Sequence, residues 1–333
     1  MSELYTRRAS GICQIRLPMH DHALRYINAY LVEGDDGYAL VDCGWGTPDV
    51  LAALESALAE LGVGLQSIRT VVVTHFHSDH YGLAGTLARL AGTRLFMHHA
   101  DWAVLDSRFR DIDREMHRRD AWLARNGFAT ADYAADDRIR RLAGRMSLQR
   151  PDRELEDGEL VTLGTHAFRV VWTPGHSPGH ICLYDEERKT LLSGDHILPQ
   201  ITPHIGYWSD GDPDPLGTFL TSLAKVAELG AKHVLPAHRE PIDDLAGRIE
   251  ELFAHHRERE AQILAELDGT PRTGNEVASR LPWRRKISSF EELPATERSF
   301  ALVETLAHLE HLRARALVER IDAPDLVRYR KLP

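Results

Sequence analysis

Val71-Val72-Val73-Thr74-His75-Phe76-His77-Ser78-Asp79-His80 decides the reading of this chain. An uninterrupted β-branched run suits a strand of a parallel sheet buried on both faces. It ends in three histidines and an aspartate within six positions. His75 and His77 are two apart, so an extended backbone sends both imidazoles to one side. Asp79 and His80 follow where the chain must turn and serve a neighbouring point. A lone histidine at a strand end is an ordinary surface residue, but this density of imidazole and carboxylate suits zinc or a similar borderline metal.

Three further stretches have the same form, a strand-like run ending in histidine or aspartate. Phe168–Trp172 leads into Thr173-Pro174-Gly175-His176-Ser177-Pro178-Gly179-His180. Thr190–Ser193 leads into Gly194-Asp195-His196, and His233–Pro236 into Ala237-His238. Together with the first stretch they resemble the HxHxDH pattern and downstream ligand segments of the metallo-β-lactamase superfamily, over roughly residues 10 to 255. The resemblance implies an α/β fold, an αββα metallo-β-lactamase sandwich. It implies that His75, His77 and His176 hold one divalent metal ion and Asp79, His80 and His238 a second, with Asp195 bridging. Zinc is the expected ion, with iron or manganese as alternatives. Two such cations share a hydroxide that serves as nucleophile at neutral pH without a serine or cysteine. Asp79 is the catalytic candidate, orienting that hydroxide or shuttling a proton.

Around this set lie residues open to more than one role. Asp42, closing a strand before Cys43-Gly44, either supports the metal loop, as in the family, or caps a turn. His180 either orients a ligand or packs. His196, His204 and Tyr207 are candidates for orienting ligands or facing substrate. His98 and His99 follow another strand-like run, Thr93–Met97, and read as pocket or surface histidines because the family's ligand set is complete without them.

Composition bounds the rest. The chain has 333 residues and a formal net charge of −10, which argues against nucleic-acid binding through bulk charge. Three cysteines, Cys13, Cys43 and Cys182, are too few and too scattered for a disulfide framework and suit core thiols in a reducing compartment. The start has no apolar signal segment and no run approaches membrane-spanning length, so a cytoplasmic protein with no membrane partner is expected.

Alternation marks Cys13–Leu17 as a strand, and Asn28–Glu33 with Tyr38–Asp42 as a hairpin about Gly34-Asp35-Asp36-Gly37. Thr47-Pro48-Asp49 opens a helix, Thr47 being the N-cap. A second helix after His80 is expected to turn Leu83, Leu87 and Leu90 inward. Residues 100 to 150 read as an insert of charged amphipathic helices, Asp101–Leu105, Asp111–Asn126 and Tyr133–Met146, either a lid or pocket wall or a solvated elaboration. Leu160–Trp172 reads as a strand pair. Helices follow Asp212 and Ile242.

Near Asp268 the character changes, giving expected domains 1–267 and 268–333. The second reads as a winged-helix-like module: a short helix from Thr273, a longer one over Phe300–Ala316 and a hairpin over 317–330. Twelve Lys/Arg against ten Asp/Glu from Asp268 onward make this segment only slightly basic, favouring packing, homodimerisation or pocket closure over DNA binding.

The superfamily resembled includes thioesterases such as glyoxalase II, lactonases, β-lactamases and nucleases. Ile197-Leu198-Pro199-Gln200 after the aspartate departs from the Gly-Cys-Gly of glyoxalase II, and Leu198 stands where acyl-homoserine lactonases place a tyrosine. Hydrolysis of a small acyl ester, thioester or lactone is the leading expectation. An endoribonuclease using the C-terminal module is the alternative, and a non-catalytic metal-binding regulator with a DNA-binding tail a third.

Overall fold

The computed structural model describes residues 4–8, 11–20, 22–34, 36–129, 146–208, 210–283 and 289–333. Two sheets stack face to face. The first has seven strands in chain order: β1 (Tyr5–Arg7), β2 (Ile12–Pro18), β3 (Tyr26–Gly34), β4 (Gly37–Val41), β5 (Ile68–Val72), β6 (Arg94–His98) and β7 (Arg153–Leu155). The first four are antiparallel, and Gly34 pairs with Gly37 at the expected hairpin. From β4 onward the pairing is parallel, so helical crossovers are required. The first two are α1 (Pro48–Glu60), then α2 (Ser78–Tyr81) with α3 (Ala84–Ala91), and the third, from β6 to β7, runs through the insert. The second sheet runs β12 (His233–Pro236), β11 (Thr190–Gly194), β10 (Ile181–Asp185), β9 (His166–Trp172), β8 (Leu160–Leu163). Only β11 and β12 pair in parallel, and α6 (Pro215–Ala227) joins them.

Period-two alternation assigns each strand side chain to a layer. Tyr30, Val32, Val41 and Val72 point between the sheets, where they meet Phe168, Val170, Leu183 and Leu192. Their neighbours Leu31, Leu40 and Val71 point outward onto Leu54 and Leu58 of α1 and Leu87 of α3. On the far side Val171, Cys182, Leu191 and Val234 meet Phe219 and Leu223 of α6. The valine run is thus buried from both sides, and the layers are helix, sheet, sheet, helix.

Two local expectations fail. Thr47 occupies the N-cap of α1, but its hydroxyl makes no cap bond. Leu90 is exposed, because Leu83 and Leu87 already fill the inner side and α3 ends at the left-handed Gly92.

The insert contributes α4 (His99–Arg110) and α5 (Ile112–Arg125). Its third expected helix, Tyr133–Met146, falls almost wholly on residues 130–145, outside the described ones. Beyond α6 come α7 (Leu245–Glu266), α8 (Gly274–Ala278), α9 (Ala295–Ala314) and the hairpin of β13 (Val318–Asp322) and β14 (Val327–Lys331). A capping box between Thr273 and Glu276 starts α8. Leu302, Leu306, Leu309 and Leu312 of α9 lie in the same apolar cluster as Phe219 of α6 and Leu252 of α7. The change of character near Asp268 is therefore one of chain composition, while the core continues across it. No helix among the described residues is long and apolar enough to cross a membrane.

Candidate metal centre

All four histidine- and aspartate-bearing stretches end at one edge of the two sheets. Thr74 and Ile181 tie the sheets together there, the Ile181 amide donating to the Thr74 carbonyl at 2.9 Å. His75 Nε2 lies 2.8 Å from His77 Nδ1, and His176 Nε2 lies 3.2 and 3.1 Å from the same two atoms. Beside them His238 Nε2 stands 3.3 Å from Asp79 Oδ2, and His80 Nε2 3.6 Å from it. Asp195 lies between the groups: Oδ1 is 3.4 Å from His238 Nε2 and 3.6 Å from His80 Nε2, while Oδ2 is 3.7 Å from His176 Nε2.

The hydrogen bonds on the far side of each ring determine which nitrogen faces inward. His80 Nδ1 donates to Asp42 Oδ2 at 2.8 Å. His176 Nδ1 donates to the His204 carbonyl at 2.8 Å, and His238 Nδ1 to the Tyr26 carbonyl at 3.1 Å. His75 Nδ1 donates to Thr74 Oγ1 at 3.2 Å. Each of these rings therefore turns a bare Nε2 to the centre. His80 Nε2, His238 Nε2 and Asp195 Oδ1 are buried and have no hydrogen-bond partner. Buried polar atoms are ordinarily satisfied, so three orphans facing one point ask for a cation. Nitrogens about 2.0–2.1 Å from a tetrahedral zinc stand roughly 3.3 Å apart, close to the spacings here. The residues fit divalent metal, in overlapping groups of histidine and aspartate.

The electrostatics separate the two groups. Burial pushes the Asp79 carboxyl up, but the facing His80 and His238 outweigh it and hold it well below the usual carboxylate range. Burial drives His75 and His77 well below an ordinary imidazole, helped by neighbouring histidines, whereas at His80 and His238 burial is outweighed by the facing carboxylates, Asp42, Asp79 and Asp195 for the first and Asp195 and Asp79 for the second, which raise both. Neutral imidazole is the form that binds a metal.

Asp42 does more than end β4. Its backbone is left-handed, φ +58°, and its carboxylate also accepts from the Thr74 amide at 2.8 Å and the Thr74 hydroxyl at 2.9 Å. His180 donates to Thr173 Oγ1 at 2.8 Å and accepts the Asp195 amide at its Nε2, 3.1 Å away. Gly194 makes that approach feasible, since a Cβ there would meet His180 Nε2 at 2.6 Å. His196 is fully buried against Phe219 of α6, behind the centre. His204 supplies its carbonyl to His176, while its ring stands edge-on to Phe300 and 3.6 Å from Glu304 Oε2. The Tyr207 hydroxyl accepts from Arg320 at 3.2 Å, and its ring packs on Trp122.

Two residues escaped sequence reading. Asp101, fully buried near the start of α4, hydrogen-bonds to both the His75–His77 loop and the His176 loop. An acid in a first helical turn ordinarily reads as an exposed, dipole-favoured charge, so only tertiary contact reveals it. Glu304 lies on α9, more than sixty residues past His238, in a segment with no motif.

His98, His99 and Glu156 form a further cluster of ligand types. His98 Nδ1 accepts the Ala100 amide as the N-cap of α4, which leaves the proton on Nε2. Its ring lies flat on Trp172, 5.3 Å between centroids. Ligation would cost the cap, so this cluster reads as helix-capping and packing.

A sequence model described as the metallo-beta-lactamase superfamily matches residues 23–238. A probable metallo-hydrolase of Bacillus subtilis (strain 168) is 27% identical over 307 residues, 91% of this chain and 92% of that protein. A lactamase-like protein of Aspergillus fumigatus is 28% identical over 247 residues, 73% of this chain but only 57% of its own length. The crystal structure of a metallo-beta-lactamase family protein from Thermus thermophilus superposes with a TM-score of 0.84 at 34% identity, covering 97% of this chain and 99% of that one.

Proposed function

The chain belongs to the metallo-beta-lactamase superfamily of metallo-hydrolases, and we propose that it hydrolyses a small acyl ester, thioester or lactone with two divalent cations, zinc in the first instance. His75, His77 and His176 would hold one, Asp79, His80 and His238 the other, and Asp195 would bridge them. Such a pair, when bound, brings the pKa of a shared water to about 7 and polarises the substrate carbonyl.

The chain's own residues do the rest. Asp42, Thr74 and the His204 and Tyr26 carbonyls keep the ligand nitrogens bare and aimed. Asp79, held ionised, accepts a hydrogen bond from the attacking water and carries its proton to the leaving group. His180 fixes the backbone of Asp195.

The acyl reading is supported by the side chains packed on the His204 ring, whose backbone carbonyl holds His176. There Phe300 is half-exposed, and Glu304 stands against His204. Burial raises the Glu304 carboxyl, but the hydrogen bond and charge of His204 and the charges of His308 and Arg259 bring it down to about 2. An ionised carboxylate next to an aromatic ring suits a neutral acyl group and repels a polyanionic phosphodiester. Zinc-loaded protein should turn over members of a panel of phenyl esters, short acyl thioesters and lactones, and leave single-stranded RNA intact. RNA cleavage without ester or lactone turnover would replace this reading with the endoribonuclease.

A further inference from the structure

We propose that Asp101 is a positioning residue that clamps the two ligand-bearing loops together, so that the first helix of the insert sets the spacing of the three-histidine site. The inference rests on the metal-centre reading above.

Three donors converge on this one carboxylate. The Phe76 amide and the Ser177 hydroxyl each donate to Oδ2 at 2.8 Å, and the Gly179 amide donates to Oδ1 at 2.5 Å. Phe76 lies between His75 and His77, and Ser177 follows His176. One buried side chain therefore joins the two segments that supply all three ligands. His75 and His77 come from the end of β5 and His176 from the end of β9, in different sheets, so their spacing depends on what holds the two loops together.

The fit is close. A Cβ on Gly179 would stand 2.5 Å from the Asp101 amide nitrogen and 2.8 Å from its Oδ1, so only glycine lets the second loop come this near. Helix α4 touches the first loop again through Arg108, whose guanidinium lies over the Phe76 ring, 5.1 Å from its centre. A buried carboxylate carries a desolvation penalty that must be offset by hydrogen bonds to its lone pairs. Here they are met by three neutral donors rather than by a cation. An amide in its place offers one acceptor oxygen and turns an NH2 toward at least one of the three donors. The loops then part, and a metal site tolerates little of that, since displacements near 1 Å already spoil a site of fixed geometry.

The test compares full-length wild type with Asp101→Asn and Ser177→Ala. Each is loaded with zinc and, separately, with cobalt(II). Metal content against a competing chelator, the cobalt visible spectrum, the melting curve, and kcat and KM on the best substrate are read together. For Asp101→Asn, one cation should be held about 10–100-fold more weakly, the other should be unchanged, the cobalt spectrum should lose one component, and kcat should fall more than KM rises. Ser177→Ala removes a single donor and should shift the same cation in the same direction by less. It decides the matter if the asparagine variant does not fold. Both cations held as in wild type with an unaltered spectrum, or both weakened equally, overturns the clamp. A His176→Ala control that leaves metal content at the wild-type value overturns the metal-centre reading itself, and the clamp with it.

Discussion

Asp42 Oδ2 lies 2.8 Å from His80 Nδ1, at the end of a strand that never reaches the centre itself. The pairing leaves His80 Nε2 bare among Asp79 and Asp195. Asparagine at this position keeps the left-handed backbone, which Asn tolerates as Asp does, but loses one of the acceptor oxygens shared by His80 and Thr74. Asp42→Asn should weaken the cation of the Asp79–His80–His238 group about 10–100-fold and leave the three-histidine cation in place. Zinc competition with a calibrated chelator measures both.

Asp195 faces both groups, one oxygen to each. Its alanine variant removes a ligand from each cation at once. Metal content should fall from two per chain to one or fewer, and kcat should drop at least about a hundredfold. Retention of both ions and of activity in Asp195→Ala would end the dinuclear account.

How much of this was legible beforehand follows from what kind of interaction placed each residue. The seven clustered groups lie in loops and a short helix that follow strands, and it was the resemblance of the four short stretches to a family pattern, not their periodicity, that implied the groups converge. The valine run and the leucines of α9 could be read because burial leaves a periodic trace. Asp101 left no such trace: its role depends on a loop 76 to 78 residues away arriving at α4. Nor could the partner of Tyr207 be read: Arg320, 113 residues on, donates to its hydroxyl. The expected domain boundary near Asp268 rests on composition, which carries no record of contacts such as those of α9 with α6 and α7.

That packing gives a stability test. Leu306 is fully buried in the cluster shared with Phe219 and Leu252. Leu306→Ala should lower unfolding free energy by about 2–5 kcal/mol. Because the cluster spans the expected boundary, the metal-free melt should remain one transition, shifted as a whole. A second, lower transition for the C-terminal segment alone would show that the segment has a core of its own.

Glu304 gives a specificity test. Removing its charge relieves repulsion of an anionic substrate near the centre, worth about 1 kcal/mol for a partly exposed pair. Glu304→Gln should therefore raise kcat/KM about fivefold for an ester with a carboxylate on its acyl chain. The matched neutral ester should change much less. Equal changes on both would remove Glu304 from the substrate's surroundings.

The acid limit of stability should come partly from a histidine pair outside the metal centre. His308 Nδ1 donates to the Glu304 carbonyl at 2.8 Å, so its Nε2 accepts from His256 Nδ1 at 3.1 Å, and His256 Nε2 is left buried without a partner. Burial is the main cause that lowers both. His256, with His308 and His255 adding to the effect against Glu304, drops to about 3. His308, with Arg259 and His255 opposing Glu304, drops to about 4. An unfolded histidine titrates near 6.5. Between that value and the folded ones the unfolded chain binds more protons, so stability is complete above about pH 6.5 and falls as pH drops toward 4. Each such group adds at most about 1.4 kcal/mol per pH unit. His256→Asn keeps a donor near the Nδ1 position and cannot titrate. Melting curves of metal-free protein from pH 7.5 to 4.5 should show a shallower acid slope for this variant than for wild type. Identical slopes would mean that the pair does not stay neutral in the fold.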